Sequence, residues 1–365
     1  MKQLVKITPM EPYAFGTDQK FQYPGEESTG KESYFVKSRT MPEQTTILGM
    51  LRFLLLKQKG LLHSDFKYNE DEIKRMAQYI GPESFQFEKE KQEFGCIHRI
   101  SPVFLIDNRG NYYVKNPFHN TEKEKGYTPI AISEKLIETS FGNIRLPEKD
   151  EFRAKDGHAV GFYNLSDGSI HKELFKSVII PGNRKNNKTS DDDCFFKREL
   201  FVLKRGYCFA VFVDADEVFH TDIVSMGMGG CTFLISSELG REDDLEKHVK
   251  EAFTGDNKEV WMYALSDLVV QCRPQQQYLG RDNKQNVYET FCIVEQKQMR
   301  NLETKYNERG RLQKLKRRKS QINMIRSGSV FFQSCGLNLY NENCMQIGYN
   351  RIVKLGGNYH AGSDV

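Results

Sequence analysis

Three stretches of this sequence combine residue types that suit a phosphate backbone. The first is Gly348-Tyr349-Asn350-Arg351-Ile352-Val353-Lys354-Leu355-Gly356-Gly357, where glycines bracket a strand-like run carrying Arg351 and Lys354. Glycine lets backbone N–H groups approach an anion that a Cβ would hold away. An ordinary glycine-rich turn before the C-terminus is the plainer reading of the same residues. The second is Gly182 to Thr189, where Arg184, Lys185 and Lys188 alternate with three asparagines. There the cations could lie on phosphates while Phe195 or Phe196 stacks on a base. These two phenylalanines point to opposite faces of an extended chain, so at least one belongs to a core. The third is the run Lys314, Lys316, Arg317, Arg318 and Lys319.

Charge distribution supports the third stretch. The chain has 365 residues, with 53 Lys plus Arg against 49 Asp plus Glu, a net charge of +4. Between Lys297 and Arg326 stand eleven basic residues and two acidic ones, Glu303 and Glu308, so this segment carries +9 and the remainder −5. A concentrated basic stretch on a slightly acidic protein is the footprint of phosphate binding at one place. It lies between apolar segments, which predicts a loop or helix on a folded domain rather than a tail. A solvated face would look the same.

Other chemistries find little support. Asp191-Asp192-Asp193 could hold a metal in a nuclease, but a Ser-Asp-rich turn explains it without one, because no carboxylate or His cluster accompanies it. The eight cysteines are scattered without a CxxC pair, and the eight histidines have no motif partner. No zinc site, disulfide framework, metal or cofactor is expected. A metal-free ribonuclease would need a general base near a charge stabiliser, and His63, just after the first expected helix, is the candidate to test. Met1 to Met10 has no charged leader with an apolar stretch, and no apolar run is long enough to span a bilayer. The expectation is a cytoplasmic protein with reduced thiols and no membrane partner.

The elements that must hold these residues begin with a strand over Gln3 to Thr8, with Val5 and Ile7 on one side. A long loop follows from Met10 to Gln44. Pro42 and a Thr cap open a helix with the stripe Ile47, Leu48, Leu51, Leu54 and Leu55. A second helix is predicted around Glu70 to Tyr79, and strands around Arg99 to Ile106 and Tyr112 to Val114. Further on come a strand pair over Glu199 to Val213 turned at Lys204-Arg205-Gly206, a helix from Asp243 to Phe253 and a buried strand from Trp261 to Val270. Closing strands are expected at Ser329 to Gln333 and Arg351 to Leu355. This order suits an α+β chain of two ferredoxin-like (RRM-like) βαββαβ domains with long inserted loops and a C-terminal glycine-rich loop. The length supports two domains, divided as 1–175 and 176–365.

Tyr34 to Phe53 (YFVKSRTMPEQTTILGMLRF) resembles the RAMP superfamily of CRISPR proteins, where a Pro/Ser/Thr-rich turn opens the first helix and Gly and Arg follow. Thr45 and Thr46 stand at that turn, and Gly49 and Arg52 occupy the later positions. Ile100 to Phe118, Val178 to Val213, Met226 to Gly230 and Ile325 to Phe332 with Ile347 to Gly357 fall in the order of the Cas5-like third subunit of the type III-B, or Cmr, effector. Met10 to Lys37 departs from the pattern. The resemblance implies a non-catalytic subunit that binds the 5′ tag of the crRNA for antiviral defence. It also implies docking on the large subunit with a cyclase/polymerase-like palm domain, beside the backbone RAMP subunits. RNA contact would fall to Thr45, Thr46, Arg52 and the three stretches above. The rival reading is a crRNA-processing endoribonuclease on the same fold.

Overall fold

The computed structural model describes residues 1–23, 33–65, 67–123, 126–139, 142–184, 194–240, 245–253, 259–270, 291–300, 302–306, 312–317, 321–332 and 342–356. Strand β1 (Lys2–Pro9) sets the architecture. Val5 and Ile7 are fully buried in one core, and Leu4 in another. A strand apolar on both faces belongs inside a sheet covered on both sides. It runs antiparallel between β13 (Tyr207–Ala215) and β15 (Cys231–Leu239). Outside β13 lie β4 (Ile97–Ile100) and β5 (Phe104–Asp107), then β6 (Tyr112–Lys115), β9 (Phe162–Asn164) and β10 (Ile170–His171). Outside β15 lies β14 (Asp222–Met226).

One face carries α1 (Gln44–Gln58), whose expected stripe Ile47, Leu48, Leu51, Leu54 and Leu55 is buried against Val211, Val213 and Phe233. Each such leucine contributes roughly 1.5–3 kcal/mol relative to exposure. Helix α2 (Glu70–Ile80) begins with a capping box between Asn69 and Glu72 and packs on α1. The opposite face carries α3 (Leu245–Ala252) and a second sheet. In it, β16 (Trp261–Ala264) lies between β23 (Val330–Phe332) and β24 (Ile352–Leu355), with β18 (Cys292–Ile293) outside β23. Helix α4 (Glu342–Gln346) connects β23 to β24. Three short strands, β17 (Leu268–Val269), β22 (Ile322–Ile325) and β19 (Gln296–Met299), form a third sheet.

Four hairpins complete the described residues. The β2 (Phe15–Tyr23) and β3 (Ser33–Arg39) hairpin joins that of β11 (Phe175–Arg184) and β12 (Cys194–Leu203) through a parallel β12–β3 pair. The third hairpin is β20 (Leu302–Tyr306) with β21 (Leu312–Arg317), and the fourth β7 (Ile137–Thr139) with β8 (Gly142–Ile144).

The α+β class and nearly all the expected strands and helices are observed. Four expectations are corrected. Met10 to Gln44 holds the β2–β3 hairpin, whose Gly, Asp and Gln positions hide its alternation. The described part of the basic segment is strand, β19 and β22 with the β20–β21 hairpin between them, where a loop or helix was expected. The strands on either side of Lys204 to Gly206 do not pair: β12 joins β11 and β3, while β13 joins β1, β4 and β5. Finally, the division at 175/176 runs through the main sheet, because β13 and β15 lie beyond it and are both of β1's partners. Residues 1–175 expressed alone will therefore lack both neighbours of their central strand and will not fold. A two-dimensional amide NMR spectrum of that fragment should show narrow, unfolded-like dispersion, and well-dispersed peaks would refute the reading.

Candidate functional site

Between the main sheet's α1 edge and the C-terminal sheets lies a charged cleft built from strand ends. Arg39 ends β3, and the backbone then turns through Pro42 to Glu43, the N-cap of α1. The expected Thr cap is absent: Glu43 takes the position with extended backbone and no side-chain cap bond. Its carboxylate is occupied elsewhere. It pairs with Arg39, accepts from Lys297 Nζ at 2.7 Å and accepts from Tyr349 Oη at 3.1 Å. Lys297 also pairs with Asp267, whose other oxygen accepts the Ser327 N–H at 2.8 Å. The Lys297 side chain is 9% exposed, so this is a buried ion triad. Burial pushes the Asp267 carboxyl up, but the Lys297 charge and hydrogen bond outweigh it and hold the group ionised.

Beside the triad opens a cavity of about 250 Å³ lined by Lys115, Phe118, His158, Glu295 and Arg326 among others. A second cavity of about 560 Å³ shares Arg39, Glu295, Lys297 and Arg326 with it. Arg326 pairs with Glu295. Lys115 has its Nζ 4.4 Å from the centre of the Phe162 ring. Burial, then the nearby Arg326, lowers its pKa to about 8 against the smaller pull of Glu295 and Asp267. The Phe118 and His158 rings are stacked, with centroids 3.6 Å apart and planes at 19°. Gly328, at φ +96°, permits that placement, because a Cβ there would lie 2.5 Å from the Phe118 ring.

The glycine-rich stretch serves the fold. Gly348 has φ +94°, and a Cβ would sit 2.5 Å from the Ser101 carbonyl oxygen, so the glycine answers a close backbone approach, not a phosphate. Tyr349 is fully buried, its hydroxyl raised in pKa by burial, and is no stacking platform. Asn350 adopts φ 58° and is buried, its Oδ1 accepting the Val269 N–H at 2.6 Å. Arg351 donates to the Met345 carbonyl at 2.9 Å and approaches Glu246 at 3.5 Å. Gly356 is buried at φ 73°, and Gly357 lies outside the described residues.

Thr45 and Thr46 sit half-buried in the first turn of α1, where Thr45 hydrogen-bonds the Tyr349 hydroxyl. Arg52 lies 5.5 Å over the Phe94 ring, and burial lowers its pKa to about 10. Arg184, Phe195 and Phe196 fall on the backbone of the β11–β12 hairpin, while Lys185 and Lys188, with Asp191 to Asp193, lie outside the described residues. Lys314, Lys316 and Arg317 fall on β21, and Arg318 and Lys319 lie outside. The β20–β21 register puts Glu303, Lys305, Lys314 and Lys316 at positions of one face. His63 sits 3.1 Å from Glu72 and against the Tyr68 ring.

Sequence reasoning missed the cleft residues Arg39, Glu43, Lys115, Phe118, His158 and Asp267. The one usable signal was Lys115-Asn116-Pro117-Phe118, a cation and an aromatic around a Pro at a strand end.

Two outcomes test this geometry. Lys297→Ala leaves Glu43 and Asp267 buried without their shared cation and should lower stability by about 3–5 kcal/mol, measured by urea unfolding; a loss under about 1 kcal/mol would show the triad idle. Lys115 has a folded pKa below its unfolded value, so between about pH 8 and the ordinary lysine range the unfolded state binds more protons and this group's contribution rises with pH. Lys115→Met should therefore be more stable than the wild type at pH 7.5, with the gap narrowing by pH 9.5. A pH-independent gap would contradict the shift.

Residues 5–174 match the family described as CRISPR-associated protein (Cas_Cmr3). The matched stretch contains Tyr34 to Phe53 and Ile100 to Phe118, and the resemblance read from those residues is borne out. No curated protein matches the chain. Among solved structures, the chain is similar at 15% identity and TM-score 0.51 to one in the cryo-EM structure of the Type III-B Cmr-beta bound to cognate target RNA, with 98% of each chain covered. Another, from Cmr-beta bound to cognate target RNA and AMPPnP, aligns at 15% identity and TM-score 0.47 over 96% of each chain. The first likeness establishes a common fold along nearly the whole length.

Proposed function

We propose that this chain, similar over residues 5–174 to the Cas_Cmr3 family of CRISPR-associated proteins, is a non-catalytic RNA-binding subunit of a type III-B effector. In this reading it holds the 5′ tag of the crRNA and docks on the large palm-bearing subunit beside the backbone RAMP subunits, in the cytoplasm. The family match carries the reading. The strand order supports it: β1 is flanked by β13 and β15 with β4 and β5 beyond β13, and β16 is flanked by β23 and β24 with β18 beyond β23. In both sheets the first strand is central, the third and fourth flank it, and the second lies outside the third. This is the order of a βαββαβ unit. Helix α1 stands in the first crossover of the N-terminal unit, and α4 in the second crossover of the C-terminal one. In this reading the two ferredoxin-like units divide after β15, not at residue 175.

No helix among the described residues is long and apolar enough to cross a membrane. RNA contact in this reading falls to the β11–β12 hairpin and to the cationic face of β20–β21, since the glycine-rich stretch is occupied by packing.

Binding of the full chain to repeat-derived RNA across a salt series tests the reading. Log affinity should fall linearly with log salt at ~0.7 per phosphate contact. Replacing Lys314, Lys316, Arg317, Arg318 and Lys319 with Gln should flatten that slope and weaken repeat and unrelated RNA by a similar factor. The same incubation should release no cleaved RNA. Cleavage abolished by His63→Ala would favour the endoribonuclease, and an unchanged slope would remove the hairpin from the RNA path.

A further inference from the structure

We infer that the cleft around Lys115 is an anion pocket for the phosphate of a nucleotide. Four cations and three carboxylates face it. Arg39 and Lys297 are matched by Glu43 and Asp267, and Arg326 by Glu295. Lys115 is the surplus charge. Its Nζ lies over the Phe162 ring, and among the described residues no carboxylate oxygen stands at ion-pair distance from it. A half-buried lysine with no carboxylate at ion-pair distance is poorly compensated, and the depressed pKa of Lys115 agrees with that. An anion entering the cavity removes the penalty.

The walls specify which anion. Arg326 and Lys297 stand beside Lys115 on the same lining, so a group with several anionic oxygens is favoured over a single carboxylate. The Phe118–His158 stack on that lining offers an aromatic surface of the kind on which bases stack. Phosphate recognition and an aromatic wall together describe a nucleotide. The positions are also firm. Tyr263 Oη donates to the Lys115 carbonyl at 2.7 Å, the Phe118 N–H donates to the Gly328 carbonyl at 2.9 Å, and the Gly328 N–H donates to the Ala264 carbonyl at 2.9 Å. The phosphate could belong to an RNA strand, which rests on the reading above, or to a free mononucleotide, which does not.

The test uses the full chain, Lys115→Met and Lys115→Arg, with AMP as the free probe and a single-stranded RNA as the polymer. AMP at millimolar concentration should raise the melting temperature of the wild type and of Lys115→Arg but not of Lys115→Met. RNA affinity should fall about tenfold in Lys115→Met, with the salt slope reduced by ~0.7, and stay within about threefold in Lys115→Arg. An AMP effect confined to the charged variants, with RNA binding unchanged or absent, supports the pocket and assigns it to free nucleotide. An RNA effect without an AMP effect supports it with a strand phosphate as the occupant. If Lys115→Met matches the wild type in both, the pocket is overturned, whatever RNA the rest of the chain binds.

Discussion

The Lys297 ammonium, taken out of water between Glu43 and Asp267, is the contact on which the arrangement of this molecule turns. Glu43 begins α1, Asp267 follows β16, Lys297 lies on β19, and Tyr349 reaches Glu43 from the approach to β24. One cation thus fixes the start of the N-terminal helix against three segments from the far end of the chain. A buried ion triad adds little net stability over an apolar replacement, but it tolerates only one arrangement of its members. That selectivity matches its place between the start of α1 and the C-terminal sheets.

The same triad explains why counting charges overstated the basic segment. The +9 between Lys297 and Arg326 treats every cation as free for phosphate, yet its two ends are spoken for: Lys297 by Glu43 and Asp267, Arg326 by Glu295. The middle of the segment is the β20–β21 hairpin, whose register sets Lys314 and Lys316 at positions of one face. Glycine reasoning failed in a similar way. A positive φ at Gly348 does need glycine, but the neighbour that a Cβ would strike is the Ser101 backbone. Sequence shows that glycine is required and is silent about what approaches it.

Legibility followed the range of the interactions. Local periodicity gave β1, α1, α2 and α3 within a few residues, because amphipathic alternation and caps are properties of neighbouring residues. It did not give the β2–β3 hairpin, whose polar strands carry no apolar alternation. Nor could it reveal that β12 and β13 part company at Lys204 to Gly206, since a tight turn looks the same whether or not its strands pair. The cleft was least legible. Arg39, Lys115, Asp267, Lys297 and Arg326 span nearly the whole sequence, and their convergence depends on strand order that no short motif encodes. The boundary at 175 failed for the same reason: β1 finds both partners beyond it.

Strand order also accounts for where the surplus cation lies. Lys115 is the last residue of β6, Ala264 the last of β16, and Gly328 stands just before β23. The main sheet and the C-terminal sheet bring these three ends together, and backbone hydrogen bonds tie 118 to 328 and 328 to 264. A side chain projecting from such a junction is held by two rigid sheets rather than by a loop, so little conformational freedom is lost when an anion arrives. The β20–β21 hairpin is the opposite case: among the described residues its strands pair with each other and with no other sheet. In the proposed reading these two elements would meet phosphate differently. A hairpin can follow a backbone without selecting a register, while a fixed cleft between two sheets admits one group at one position. Phosphate contacts of the first kind would supply affinity, and a preorganised pocket of the second kind would set position along a strand.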